Sequence, residues 1–499
     1  MNYVKTIWAL LPPVIAIIFA LKTKEVYISL LIGIVSGTLL LTNFHLVESL
    51  NLLFDTVVNC LSKPSNIGIL IFLVMLGIIV TLMTKSGGSQ AYGKWAKKKM
   101  KSSKQSLFST FILGVVIFVD DYFNCLTVGS VMREITDEFK VSRAMLAYII
   151  DSTAAPVCII APISSWAAAV SGYTSGDGFQ LFLNTIPFNL YALLTIVMVC
   201  YVIGSEFHLG KMKKHELAAQ NGDVCFGDDS YQTNEEISYN QKGKVLDLIL
   251  PVIVLIMSCI IGMIYTGGFF DGKDLITAFS QCDASRGLVY GTFVTLIFVF
   301  ILYIPRKVLE FVDFCGSFAQ GFKAMTSAIM ILCLAWTLSG VCGAEYLNIQ
   351  GFVKAAVGGS TMAIAVMPVI FFLISLGLAF ATGTSWGTFG ILIPISVTIL
   401  SGNYMMMSVC VGAILAGAVC GDHISPISDT TILSSAGAQC KHIDHVATQM
   451  PYALTVALCA SVGYILSGIT GNGYIGLAGA AISLALAMAI IVITAKRGR

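Results

Sequence analysis

The chain has 499 residues, of which 57% are hydrophobic and only 11% are charged, where a soluble protein carries roughly 25% charged residues. That composition excludes a soluble enzyme and predicts an all-α polytopic membrane protein whose first partner is the lipid bilayer. A net charge of +2 is too small to attract nucleic acid.

In chain order, apolar segments of spanning length fall near 7–21 and 27–43, and residues 1–66 are read as an N-terminal unit. No small-residue cleavage site follows the first segment. A second unit, 67–204, contains spans at 67–84, 144–165 and 181–204. Residues 205–246 are polar and are expected to form a flexible cytoplasmic linker. Spans at 247–266 and 287–304 make a connecting unit, 247–324. Spans at 325–343, 405–435 and 450–468 belong to a unit at 325–468. The last, 469–499, holds a span at 474–495 and a basic tail.

Two further apolar stretches, 105–132 and 362–400, are each broken by a polar cluster, "DDYFN" at 120–124 and "TGTSW" at 382–386. Read as re-entrant hairpins, they leave eleven crossings, with the N-terminus outside and the C-terminus inside. Lys5, Lys63, Lys273, Arg286 and Lys354 then fall outside, and the other 24 of the 29 basic residues fall inside. The positive-inside rule asks for that asymmetry.

The two large units share short motifs. Thr127-x-Gly129 resembles Thr388-x-Gly390, and "APISSW" at 161–166 resembles "SPISDT" at 425–430. By the loop count they run in opposite directions, as inverted repeats with discontinuous helices do in secondary transporters. Non-helical backbone at membrane depth has to line a cavity or lie inside protein, so the breaks are the candidate site. Asp120, Asp121, Asn124 and Thr127 come from the first hairpin. The third break, "DSTAAP" at 151–156, adds Asp151, Ser152 and Thr153, and "APISSW" adds Ser164.

Asp151 stands eight residues after Arg143, about 12 Å along a helix and so near the midplane. An aspartate at that depth marks function, and it can also cap a half-helix. Thr384 and Ser385 come from the second hairpin, and Asp422, His423, Ser425, Asp429 and Thr430 from the break around Pro426. His423 can titrate near neutral pH or serve as a structural hydrogen-bonder. Hard cations such as Na⁺ want several oxygens, with Asp121, Asp151 and Asp429 the candidate ligands. Adjacent carboxylates also resist ionising together, which suits a site that trades Na⁺ for H⁺. Half-helix N-termini favour anions, so a small organic anion or amino acid stays open as substrate. No nucleotide loop, metal triad or nucleophile motif points to an enzyme or a bound cofactor.

The stretches "VDDYFNCLTVGSVMREITD", "VSRAMLAYIIDSTAAPVCIIAPISSW" and "CGDHISPISDTTILSSAGA" resemble the NhaC-type Na⁺/H⁺ antiporter family, part of the ion-transporter superfamily of hairpin-containing elevator carriers. The resemblance runs from about residue 5 to 495. It implies Na⁺/H⁺ exchange in a bacterial inner membrane by a homodimer. The family's relatives include carriers that exchange organic acids with cations.

Overall fold

A computed structural model describes residues 3–23, 25–173, 178–227, 242–349, 351–352, 361–400 and 402–497, and these are helical apart from short connections. The first half contains α1 (Leu11–Thr23), α2 (Val26–Leu41), α3 (Leu46–Leu61), α4 (Pro64–Ser86), α5 (Gly88–Lys97), α6 (Ser103–Val116), α7 (Asp121–Glu138), α8 (Arg143–Cys158), α9 (Ser165–Ser171), α10 (Gly178–Thr185), α11 (Leu190–Ser205) and α12 (Gly210–Gln220). The second contains α13 (Leu246–Thr266), α14 (Leu275–Ser280), α15 (Ala284–Tyr303), α16 (Phe311–Cys342), α17 (Thr361–Thr382), α18 (Ser385–Leu400), α19 (Tyr404–Ile424), α20 (Asp429–Ala438), α21 (His442–Thr470) and α22 (Gly473–Arg497).

Among the described residues, eight helices are long and apolar enough to cross a membrane, or nine if the two parts of α16, bent by 44°, form one span. The protein is therefore a multi-pass membrane protein. The expected eleven spans differ from this in identifiable places. Segments 7–21 and 27–43 form only short apolar helices. Segment 144–165 splits into α8 and α9, and segment 405–435 into α19 and α20, because Pro162 and Pro426 stand in the gaps and deny a helix its hydrogen bonds. The break expected at 151–156 is absent, since Pro156 is accommodated inside α8, which runs on to Cys158, and Asp151 therefore caps no half-helix. Conversely α17, expected as half of a hairpin, is a 22-residue helix and is itself among the eight of spanning length.

Part of the polar linker is ordered as well. In α12, Met212 and Ala219 are buried, and the Glu216 carboxylate accepts from the Ser142 N–H at 3.0 Å and hydroxyl at 2.6 Å. The Leu209 N–H donates to Tyr452 at 2.8 Å. Tertiary contacts of this kind hold a segment whose own composition is too polar to collapse. Residues 228–241 of the linker lie outside the described residues, as does Lys354.

α19 lies at the centre, with Met406 through Ile424 buried without interruption. α8 is equally enclosed from Ala144 to Cys158. A helix apolar and buried all round belongs inside a bundle, and these two carry Asp151, Asp422 and His423.

Candidate functional site

Two helix junctions organise the site, and they are built alike. At the first, α6 ends at Val116 and α7 starts at Asp121. Asp120 is the N-cap of α7, its carboxylate accepting from the Phe123 N–H at 3.0 Å, which satisfies one of the donors that every helix start leaves free. The Val119 carbonyl accepts from the Ser165 N–H at 3.0 Å. Ser164 caps α9 through the Ala167 N–H at 3.1 Å and donates to the Cys158 carbonyl at 2.7 Å.

At the second junction, the Thr384 hydroxyl accepts from the Gly387 N–H at 3.4 Å. The Gly383 carbonyl accepts from the Asp429 N–H at 3.2 Å, and Ser428 caps α20 through Thr431. The paired positions are 46 apart in each case, 119 with 165 and 383 with 429. In that register Asn124, not Thr127, corresponds to Thr388. Gly383 is required here, since its φ is +70° and a Cβ would stand 2.3 Å from the Ile427 carbonyl oxygen.

Between the junctions lies a cavity of about 250 Å³ lined by Asp120, Tyr122, Thr382, Gly383, Thr384 and Asp429, with Trp386 and the start of α2 closing it. The Tyr122 hydroxyl donates to Asp429 at 3.3 Å and so joins the two halves. Asp121, one residue from the cavity wall, is only 1% exposed. Neither of its oxygens meets a donor at hydrogen-bond geometry among the described residues. The Trp166 indole N–H, also unpaired, is the side-chain donor that acts on it. Trp166, Trp386 and Phe389 pack together with ring centroids 5.1–5.7 Å apart. Asp422, in contrast, has a hydroxyl donor on each oxygen. It accepts from Ser428 at 2.7 Å and from the Thr430 hydroxyl.

Asp151 heads a second polar cluster. Its carboxylate accepts from Ser434 at 3.2 Å and from Gln449 at 2.6 Å, and His445 Nε2 lies 3.4 Å away. All of this is buried. The Gln449 amide also donates to the His423 carbonyl at 2.9 Å, and His423 Nδ1 pairs with the Tyr191 hydroxyl at 3.0 Å. Asp151 thus gathers α8, α20 and α21 onto one carboxylate, and Gln449 ties α19 to it through the His423 carbonyl.

Several expected site residues instead turn their polar atoms to the backbone. The Asn124 amide donates to the carbonyls of Gly114, Ile117 and Thr153, closing the end of α6. Thr153 bonds its own helix at Ile149, Ser385 the Ala418 carbonyl, and Ser425 the Phe380 carbonyl. Ser152 is buried beside Asp151, and its hydroxyl has no partner among the described residues. Thr127 is buried further along α7. Sequence reasoning missed Tyr122, Trp166, Ser434, His445 and Gln449. The signal for the last two was present, a polar pair four residues apart inside an apolar helix, hence on one face.

α7 and α20 touch backbone to backbone at Gly129 and Gly437, where a Cβ on Gly129 would lie 2.4 Å from the Gly437 carbonyl carbon. Small residues permit such approach between membrane helices. Gly129→Val is expected to push α20 away, carry Ser434 off Asp151, lower thermal stability by about 1–3 kcal/mol and abolish transport. A purified valine variant with wild-type melting temperature and transport rate would contradict this packing.

A model of the Na⁺/H⁺ antiporter family matches residues 146–469. The chain is 38% identical over 519 aligned positions to an uncharacterized protein of Haemophilus influenzae, covering all of this chain and 97% of that one. A shorter likeness, 37% over 93 residues, covers 18% of this chain and 20% of the malate-2H⁺/Na⁺-lactate antiporter of Bacillus subtilis. Among solved structures, MtrF of Neisseria gonorrhoeae, described as one of a class of antimetabolite efflux pumps, aligns with a TM-score of 0.47 and 16% identity, over 86% of this chain and 85% of MtrF.

Proposed function

The chain belongs to the Na⁺/H⁺ antiporter family, which makes it a secondary transporter and not an enzyme, and from that premise we propose that it exchanges Na⁺ for H⁺ by alternating access. The observation that carries the reading is Asp121. An ionised carboxylate buried without donors is costly, and either a cation or a proton removes the cost. A site that one or the other neutralises, but not both together, couples the two fluxes. In this reading Asp120, Thr384, Asp429 and the unwound carbonyls at the tips add oxygens for the cation. Asp151 with His445 relays the proton to and from Asp121.

The alike junctions support reading 67–204 and 325–468 as inverted repeats, with α6–α7 and α17–α18 as re-entrant arms; the family resemblance carries the further reading of a homodimer in a bacterial inner membrane. If α6–α7 is re-entrant, a tag after Gln105 and a tag after Glu138 report the same side of the membrane, the cytoplasm. Opposite sides make the pair an ordinary crossing and reverse every later loop.

The test of function is a proteoliposome assay with imposed Na⁺ and pH gradients. Na⁺ flux driven by a pH gradient alone supports the exchanger. The volume of the tip cavity, about 250 Å³, favours a second reading, cation-coupled carriage of a small organic acid or amino acid, since a water molecule's share of liquid is only about 30 Å³. Flux that appears only when such a solute is added selects that reading.

A further inference from the structure

α5 is amphipathic and lies at the N-terminal end of α6 and the C-terminal end of α11. It buries Tyr92, Gly93 and Ala96 and exposes Lys94, Trp95 and Lys97. Between these three helices is a groove of about 600 Å³ whose wall is largely Tyr92, Trp95, Met100, Phe108, Ile112 and Ile203. Trp95 is 52% exposed and Phe108 50%, so the groove opens away from the protein. Its one buried polar tip, the Tyr92 hydroxyl, is satisfied by Ser109 at 3.1 Å.

Two exposed lysines, Lys99 and Lys104, complete the lining. Their neighbour Lys97 is paired with Glu138 at 2.7 Å. Lys99 and Lys104 have no acidic partner among the described residues. The occupant therefore has to be apolar along most of its length and anionic at one end. Free phosphate meets the lysines and leaves the apolar wall wet. A zwitterionic lipid fills the wall and brings no net negative charge.

We propose that this groove binds an anionic phospholipid of the leaflet that the 94–104 loop faces. Lys99 and Lys104 hold its headgroup, and an acyl chain lies along Trp95, Phe108, Ile112 and Ile203. Basic pockets between membrane helices select lipids by this combination. In this placement the exposed Trp95 lies at the level of the headgroups, where an indole is favoured. The lipid would also brace α6, the arm that leads to the Asp120 tip, against α11.

The test is native mass spectrometry of the purified full chain, titrated with phosphatidylglycerol, with phosphatidylcholine of the same chains, and with inorganic phosphate as competitor. Phosphatidylglycerol is expected to be retained in preference to phosphatidylcholine and not to be displaced by phosphate. The double variant Lys99→Gln/Lys104→Gln is expected to weaken its binding roughly twenty- to thirty-fold, at about 1 kcal/mol per lysine near a membrane surface and 1.4 kcal/mol per tenfold. A second variant keeps both charges. Gly204 lines the groove on α11 and has open space where a Cβ would go, so Gly204→Phe fills the groove and should also release the lipid. Equal retention of the two lipids, displacement by phosphate, or unchanged binding in either folded variant overturns the proposal.

Discussion

Asp121→Asn is expected to lower Na⁺ affinity, and with it Na⁺-driven transport, by several hundred-fold while leaving expression intact. Asparagine keeps the shape of the side chain and removes its charge. At an effective dielectric of about 20, a unit charge some 4 Å from a cation contributes about 4 kcal/mol, and each 1.4 kcal/mol is tenfold. No donor at hydrogen-bond geometry is lost with the carboxylate, so the folded state has little reason to suffer. Two readouts check this: the Na⁺ dependence of flux in proteoliposomes, and the rise in melting temperature that Na⁺ produces by binding the native state. Both should vanish.

The neighbouring variant separates charge from architecture. Asp120→Asn preserves the cap, because asparagine caps as well as aspartate, and should cost transport no more than about tenfold. Asp120→Ala loses the bond to the Phe123 N–H and about 1 kcal/mol of stability. A normal Na⁺ response in Asp121→Asn would reduce "DDYFN" to a helix start and leave the later breaks as the site.

The second large effect is expected at Asp151. Asp151→Asn leaves Ser434, Gln449 and His445 facing a neutral amide that has only one acceptor. Removing one partner of a buried pair costs about 3–5 kcal/mol, and exchange should fall at least a hundredfold. His445→Gln distinguishes a proton path from mere packing, since the amide keeps a donor and cannot take up a proton. Exchange in that variant should lose its dependence on pH, while the Na⁺-induced rise in melting temperature persists. The groups around His445 that could take over are Asp151 itself, His423 and, through Ser434, Cys125. A pH profile identical to wild type in His445→Gln removes His445 from the proton path.

Much of the site was legible in the sequence because its signals are local. A charged pair after an unbroken apolar run, a proline after an aspartate, and serine or threonine at a helix start each act within a few residues. Asp120 caps α7, Ser164 caps α9 and Ser428 caps α20 for reasons contained in their own turns. The same locality explains the length of α17. Its apolar run is unbroken up to Thr382, and a nearby turn at Gly383 does not shorten it.

By itself the sequence determined that the chain lives in a bilayer and that its apolar runs are interrupted near 120, 383 and 425, with Asp120, Asp121, Asp422 and Asp429 beside those interruptions. The break expected at 151–156 is continuous helix, and α8 ends only at Cys158. Composition, apolar run length and proline chemistry operate residue by residue, so no partner need be known. Only the tertiary structure decided what the carboxylates meet. Asp151 and Gln449 are 298 positions apart, Tyr122 and Asp429 307. Among the described residues, it alone left Asp121 without a donor at hydrogen-bond geometry while giving each oxygen of Asp422 a hydroxyl donor, and it alone ordered α12 through Glu216 and Ser142. A polar side chain's cost or stability inside a membrane depends on which other chain segment offers it a hydrogen bond, and periodicity along one helix carries no information about that second segment.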